Sequence, residues 1–349
     1  MPEPVIHDDT VQQRNRRYQR EVEDYFRSHL VDQYRDRADR AWVRDHSSNE
    51  QYLRSVEPMR REWRRLLAPP DLVAAEPCLT TSGWLPDIDS WWLSLPLAGG
   101  LTAQAGLAVP SGGASGLVVF QHGLASYPER AFGVGDDSGA YDDVGHQLLE
   151  AGFAVLAPLN LSFRGPRNRA QRLARLAGTT MEGLELARVR LLLAEAEEVA
   201  GPFGPVGLWG CSWGGMATQF WTPLDDRFRV AITTAFFNHR PNKMVVQDTR
   251  YGTFEDSGED HAFLHGHLTH FSDADLASLV CPRPFQVQIG KADAIGWWPQ
   301  IEGEFRLARD HWDRLGVGER VALDLHEGGH CVRGAAGVAW LTKWLTDQP

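Results

Sequence analysis

The stretch VGLWGCSWGG places Gly210, Ser212 and Gly214 in the spacing G-x-S-x-G. A serine hydroxyl is a weak nucleophile. To attack a carbonyl it needs a base beside it and donors for the oxyanion that forms. The spacing fits a nucleophile elbow when it follows an apolar strand and opens a helix, because the sharp turn then exposes Oγ. The preceding PVGLWG (205–210) is apolar, and 213–220 reads as helix. The plainer alternative is an ordinary glycine-rich strand-to-helix turn.

A base and an acid are sought further along, in the chain order serine, acid, histidine. The stretch LDLHEGGHCV holds His326, Glu327 and His330 as H-E-x-x-H. As a bare pattern this is a zinc-peptidase signature, which needs a helix to put both histidines on one face. The intervening Gly328 and Gly329 would cost a helix about 2 kcal/mol relative to alanine. The preceding RVALDL alternates like a strand. A strand-to-loop exit is therefore preferred, with His330 as the base and His326 as a hydrogen-bonded structural residue. The strand QVQIG ends in KAD, which puts Asp293 at a strand's carboxyl end. Its alternative is a turn-forming or capping carboxylate. Asp324 lies within a strand and is the poorer acid. Ser212, Asp293 and His330 then share the sheet edge where ligands bind in open α/β sheets.

The oxyanion needs two donors. One is the Trp213 backbone N–H, next to the nucleophile; the other comes from the loop after an earlier strand. VVFQHGLAS supplies that loop, with Leu124 N–H as the candidate and Gly123 free to take an unusual backbone angle. His122 is read as bracing nearby backbone. It is also a candidate for the pocket wall, together with Trp297 and Trp298, which follow Asp293. Cys211 is read as buried packing rather than as a second nucleophile.

These residues need elements to position them. Short apolar runs at 116–121, 153–159, 205–210, 228–237, 284–290 and 320–325 alternate with helical segments at 138–151, 181–200, 213–220, 300–315 and 333–346. The segment at 181–200 reads as an amphipathic helix. Such alternation predicts a mostly parallel central sheet with helices on both faces. WWLSLPL and LTAQAGLAV around AGG read as a hairpin. Residues 10–66 read as helical, with an Arg-rich face expected to be solvated, and LAPPDL ends them. Residues 1–70 are thus an N-terminal helical extension and 71–349 the main domain. Its aperiodic insert, 238–275, is expected near the site. The insert's His261, His265, His267 and His270 are read as a polar loop lining the cleft rather than as metal ligands.

The chain has 349 residues, 43% of them hydrophobic, and a net charge of −11. That allows a large core and argues against a nucleic-acid partner. No apolar run of about 18 residues exists, so no membrane partner is expected. Four widely spaced cysteines suggest reduced thiols in a cytoplasm. A homo-oligomer is compatible with this reading.

VVFQHG, GLWGCSWGG, FSDADLASLVCPRPFQVQIGKAD and HEGGHCV occur in the order seen in α/β-hydrolases. The segment Phe271 to Asp293 resembles the corresponding run in bacterial acetyl-xylan-esterase-like and dienelactone-hydrolase-like members. The resemblance covers roughly residues 90–349. It implies the α/β-hydrolase fold and a cofactor-independent serine esterase acting on a small-molecule ester. The triad would be Ser212, Asp293 and His330, with Leu124 and Trp213 amides as the oxyanion hole. The same triad serves lactone, C–C and amide hydrolysis, so these remain alternatives beside the zinc peptidase.

Overall fold

The computed structural model describes residues 8–255 and 257–346. Three helices come first: α1 (Asp8–Arg27), α2 (Tyr34–Ala41) and α3 (Asn49–Leu67). The expected continuous helical run is broken over 42–48. Ser48 ends the break, its Oγ accepting the Gln51 N–H at 3.2 Å. Serine and asparagine side chains compete with helical hydrogen bonds, which favours caps over helix interiors.

An antiparallel ribbon follows, of β1 (Leu79–Ser82), β2 (Asp89–Pro96) and β3 (Thr102–Val109). Next come β4 (Gly116–Gln121), α4 (Val144–Glu150), β5 (Phe153–Pro158), α5 (Arg164–Leu176) and α6 (Met181–Ala200). β6 (Val206–Cys211), α7 (Trp213–Trp221) and β7 (Phe228–Thr234) lead into α8 (Arg240–Val245), α9 (His267–His270) and α10 (Asp273–Val280). β8 (Phe285–Gly290), α11 (Trp298–Arg314), β9 (Val321–His326) and α12 (Gly334–Leu341) complete the chain.

The strands form one nine-stranded sheet in the order β1-β2-β3-β5-β4-β6-β7-β8-β9. From β5 to β9 every neighbouring pair is parallel. Parallel strands covered on both faces must be apolar on both sides. β4, β5, β6 and β8 are accordingly buried along their whole length. In β4, Leu117 and Val119 join the core under α3, α6, α7, α10 and α11, and Val118 and Phe120 join the core under α4 and α12.

Of the N-terminal helices, α2 and α3 belong to the first of these cores. Tyr52, Val56, Trp63 and Leu67 of α3 are buried within it. Trp63 Nε1–H donates to the Phe220 carbonyl at 2.9 Å, and the Tyr52 hydroxyl to the Ser278 carbonyl at 2.8 Å. α2 grips the insert: Arg37 donates to the Leu268 and Thr269 carbonyls at 3.0 and 2.9 Å, and Tyr34 to Asp275 Oδ2 at 2.6 Å. Just after α2, Trp42 Nε1–H donates to the His270 carbonyl at 2.8 Å.

α6 departs from the amphipathic expectation, because it is covered on most sides. Its Glu182 and Glu185 are buried and both bind Arg167 of α5, at 3.0 and 2.9 Å. Desolvation forbids a lone buried charge, so the carboxylates and the guanidinium are buried together.

Candidate active site

Ser212 occupies the single residue between β6 and α7, with φ 60° and ψ −120°. Side chains other than glycine rarely adopt a positive φ, and such strain persists only where the surroundings fix it. Here the Ser212 N–H donates to the Thr234 carbonyl at 2.8 Å, and the Ser212 carbonyl accepts the Met216 N–H at 3.0 Å. A Cβ at Gly210 would collide with the Gly214 carbonyl, and one at Gly214 with the Gln121 carbonyl. Both glycines are thus required for the strand and helix backbones to meet.

The loop after β4 lies against this turn. A Cβ at Gly123 would stand 3.0 Å from Ser212 Cβ. The Gly123 N–H donates to the Tyr141 hydroxyl at 2.9 Å, and Asn160 Nδ2–H donates to the His122 carbonyl at 3.1 Å. Leu124 reaches the cavity beside Ser212. Trp213 opens α7, where the first N–H groups have no intrahelical acceptor.

His122 is fully buried and is not on the cavity wall, which corrects its expected pocket role. Its Nδ1–H donates to the Gly123 carbonyl at 2.9 Å, and its Nε2 accepts the Asn160 N–H at 3.5 Å. Burial pushes its pKa down to about 4, so the ring stays neutral and braces the loop. Trp297 and Trp298 also lie off the cavity wall. Pro299 sits in the first turn of α11, whose Ile301 does reach the cavity. The Trp297 ring lies 3.7 Å from the Arg250 guanidinium, and the Trp298 ring 5.7 Å from Lys291 Nζ.

Asp293 and His330 come from the loops after β8 and β9. His330 Nδ1 stands 2.7 Å from Asp293 Oδ2, and Asp293 Oδ1 accepts the Ile295 N–H at 2.9 Å. The two loops are stitched together: Lys291 N–H donates to the His326 carbonyl at 2.7 Å, and Ala292 N–H to the Gly328 carbonyl at 3.0 Å. Residues 326–330 are not helical, so His326 and His330 do not share a helix face. His326 ends β9, is buried, and accepts the Gly328 N–H at Nδ1 at 3.1 Å. Asp324 faces Arg333 at 3.6 Å. Cys211 is buried, and that burial raises its thiol pKa, which makes it a poor nucleophile.

Ser212, Asp293 and His330 border one cavity of about 320 Å³. No direct hydrogen bond joins the Ser212 hydroxyl to His330 among the described residues. In free enzymes such contacts are often long and tighten only with substrate bound. The walls include Met216, Phe236, Phe237, Ile289 and Ile301, a largely apolar lining typical of small-molecule sites.

The insert adds His261, one of the histidines read as lining the cleft, and also Arg240, Lys243 and Glu259, which the sequence reading did not single out. Arg240 is paired with Asp273 at 2.9 and 2.7 Å. Lys243 Nζ donates to the Ile295 carbonyl at 2.6 Å and to the Gly252 carbonyl. Burial, and after it Arg240, pushes Lys243 down to about 8. Burial likewise raises Glu259 and pushes His261 down to about 3. Of the four clustered histidines only His261 reaches the cavity. His267 packs against the rings of Trp63 and Phe220, each at 5.4 Å. Among the described residues, no group of three or more His, Cys, Asp or Glu is arranged to hold a metal ion.

No family model and no curated protein matches the sequence. Solved structures do. A glucuronoyl esterase from Solibacter usitatus aligns over 86% of this chain and 94% of its own, at TM-score 0.65 and 12% identity. A candidate acetyl xylan esterase from Bacteroides fragilis aligns over 87% and 86%, at TM-score 0.63 and 12% identity. A glucuronoyl esterase of carbohydrate esterase family 15, from Caldicellulosiruptor kristjansonii, aligns over 86% of each chain, at TM-score 0.58 and 15% identity. With its mixed, mostly parallel sheet and a serine at the sharp turn after β6, this chain has the α/β-hydrolase fold.

Proposed function

We propose that the protein is a serine hydrolase that cleaves a carboxylic ester through an acyl-enzyme. Ser212 Oγ attacks the acyl carbon while His330 takes its proton. Asp293 holds the His330 tautomer that leaves Nε2 free to do so. The amides of Leu124 and Trp213 stabilise the tetrahedral oxyanion. His330 then returns the proton to the leaving alcohol, and water, activated by the same imidazole, clears the acyl group. The observation that carries this reading is the Asp293–His330 pair at 2.7 Å, on the rim of the cavity that also holds the strained Ser212.

The esterases among the similar folds direct the first substrate panel. It should contain acetylated sugars, methyl esters of sugar acids and short-chain p-nitrophenyl esters. Lactones, anilides and C–C substrates test the wider chemistry of the same triad. Ser212→Ala is expected to lower kcat by about 10³-fold or more. Equal cleavage by Ser212→Ala and the unaltered chain would remove the nucleophile assignment. The four cysteines are unpaired, which fits the proposed cytoplasmic setting. No helix among the described residues is long and apolar enough to cross a membrane.

A further inference from the structure

Lys243 is one of only three lysines in the chain, and it is the one that is buried. It lies on α8, within the insert, and its side chain crosses the wall of the catalytic cavity. Among the described residues no carboxylate lies within ion-pair distance of it. Its ammonium is instead satisfied by two backbone carbonyls from separate segments, Gly252 in the insert and Ile295 in the loop after β8. It also lies 5.1 Å from the centre of the Phe254 ring and 5.8 Å from that of Tyr251.

The Ile295 contact matters because of what Ile295 does with its other polar group. Its carbonyl accepts from Lys243 at 2.6 Å, while its N–H donates to Asp293 Oδ1 at 2.9 Å. The other carboxylate oxygen, Oδ2, is the one beside His330 at 2.7 Å. One residue of backbone therefore separates the ammonium from the acid. An ammonium donor makes a stronger hydrogen bond than a neutral one, and burial removes the competition from water. Removing the one donor that both carbonyls share would free the 293–296 turn to relax.

We infer that Lys243 is a positioning residue. It ties the insert to the 293–296 turn and so fixes the carboxylate of Asp293 against His330. The inference rests on the serine-hydrolase reading. It adds that the cavity roof is not only a substrate wall but also part of the support for the catalytic acid. Displacements of about 1 Å in a catalytic constellation can lower the rate by as much as 10²-fold. A loss of the tie should therefore appear mainly in kcat.

The test is a double-mutant cycle on the full-length protein with an activated aryl ester, so that weak turnover stays measurable. The four forms are the unaltered chain, Lys243→Met, Asp293→Asn and the double variant. Lys243→Met is expected to lower kcat by about 10-fold or more, with KM changed less than about threefold. In the Asp293→Asn background the same change should alter kcat by less than about twofold, because there is no longer a correctly charged acid to position. Lys243→Gln, which retains an amide donor, should recover part of the rate. If Lys243→Met does not fold, as read by circular dichroism and thermal melting, the cycle is run with Lys243→Gln, whose smaller loss in kcat should likewise shrink to less than about twofold in the Asp293→Asn background. An equal factor in both backgrounds, or a loss confined to KM, overturns the inference. If Ser212→Ala and Asp293→Asn are themselves as active as the unaltered chain, it is the hydrolase reading that falls.

Discussion

The Tyr141 hydroxyl accepts the Gly123 N–H at 2.9 Å, and so fixes the backbone one residue before the proposed oxyanion donor Leu124. Tyr141 is buried, and that burial, with Cys211 nearby, pushes its pKa up to about 12. The hydroxyl therefore stays protonated across any working pH. The Tyr141 ring packs edge-on against that of Phe120, with centroids 6.0 Å apart.

Tyr141→Phe keeps the ring and removes only this acceptor. The buried Gly123 N–H is then unpaired, a loss of about 1–3 kcal/mol in stability. The 122–124 loop should loosen, and kcat should fall by about 10-fold, less than for loss of an oxyanion donor itself. Steady-state kinetics and urea unfolding check the two parts separately. An unchanged kcat would mean that the loop does not need this anchor.

Gly214→Ala places a methyl group against the Gln121 carbonyl. The obstruction is backbone, so no rotamer relieves it. The expected result is a loss of about 3 kcal/mol or more, or no soluble protein. A thermal melt within about 2 °C of the parent would contradict the close approach of β4 and α7 described above.

Arg167→Met tests the buried charges beneath the elbow, where the guanidinium also lies 3.9 Å from the Trp213 ring. Removing the cation leaves Glu182 and Glu185 buried together, at a cost of about 3–5 kcal/mol near neutral pH. Burial already raises the Glu182 pKa in the parent. A carboxyl raised on folding stabilises the native state below its unfolded pKa, and that stabilisation is lost as pH rises through the folded value. Loss of Arg167 raises the folded value further. The deficit of the variant should therefore be smaller at about pH 5 than at about pH 8, as read from urea midpoints. A deficit that grows toward acid would refute the assignment.

Much of the sheet was legible because β4, β5, β6 and β8 are buried on both faces and so are rich in apolar residues; β4 to β9 all end within three residues of the expected segments. The elbow was legible because Gly210 and Gly214 are demanded by contacts that no other residue permits. β1 was not, because LTTS is an exposed edge strand with no apolar face. α5 was also missed, as RGPRNRAQRLARL looks like a solvated basic segment while its Arg167 is buried. For the proposed site, the sequence indicated that Asp293 and His330 leave adjacent strands, since strand exits follow from the pattern. It could not show Lys243 or Arg240 on the cavity wall. Their placement depends on how an aperiodic segment folds back, and nothing local encodes that path. The tryptophans misled for a related reason: they lie in sequence between the wall residues Gly296 and Ile301, but their rings pack on Arg250 and Lys291 instead.

The grip of the N-terminal helices on the insert has a consequence for how this molecule could acquire new substrates. Arg37 and Trp42 hold the 268–270 segment through main-chain oxygens, not through side chains. Every amino acid presents the same oxygen, so the anchorage tolerates exchange at those positions. Chamber-facing residues of the insert that carry no such tie, unlike Lys243 and Arg240, can then vary while the 268–270 segment stays fastened to the helices before the sheet.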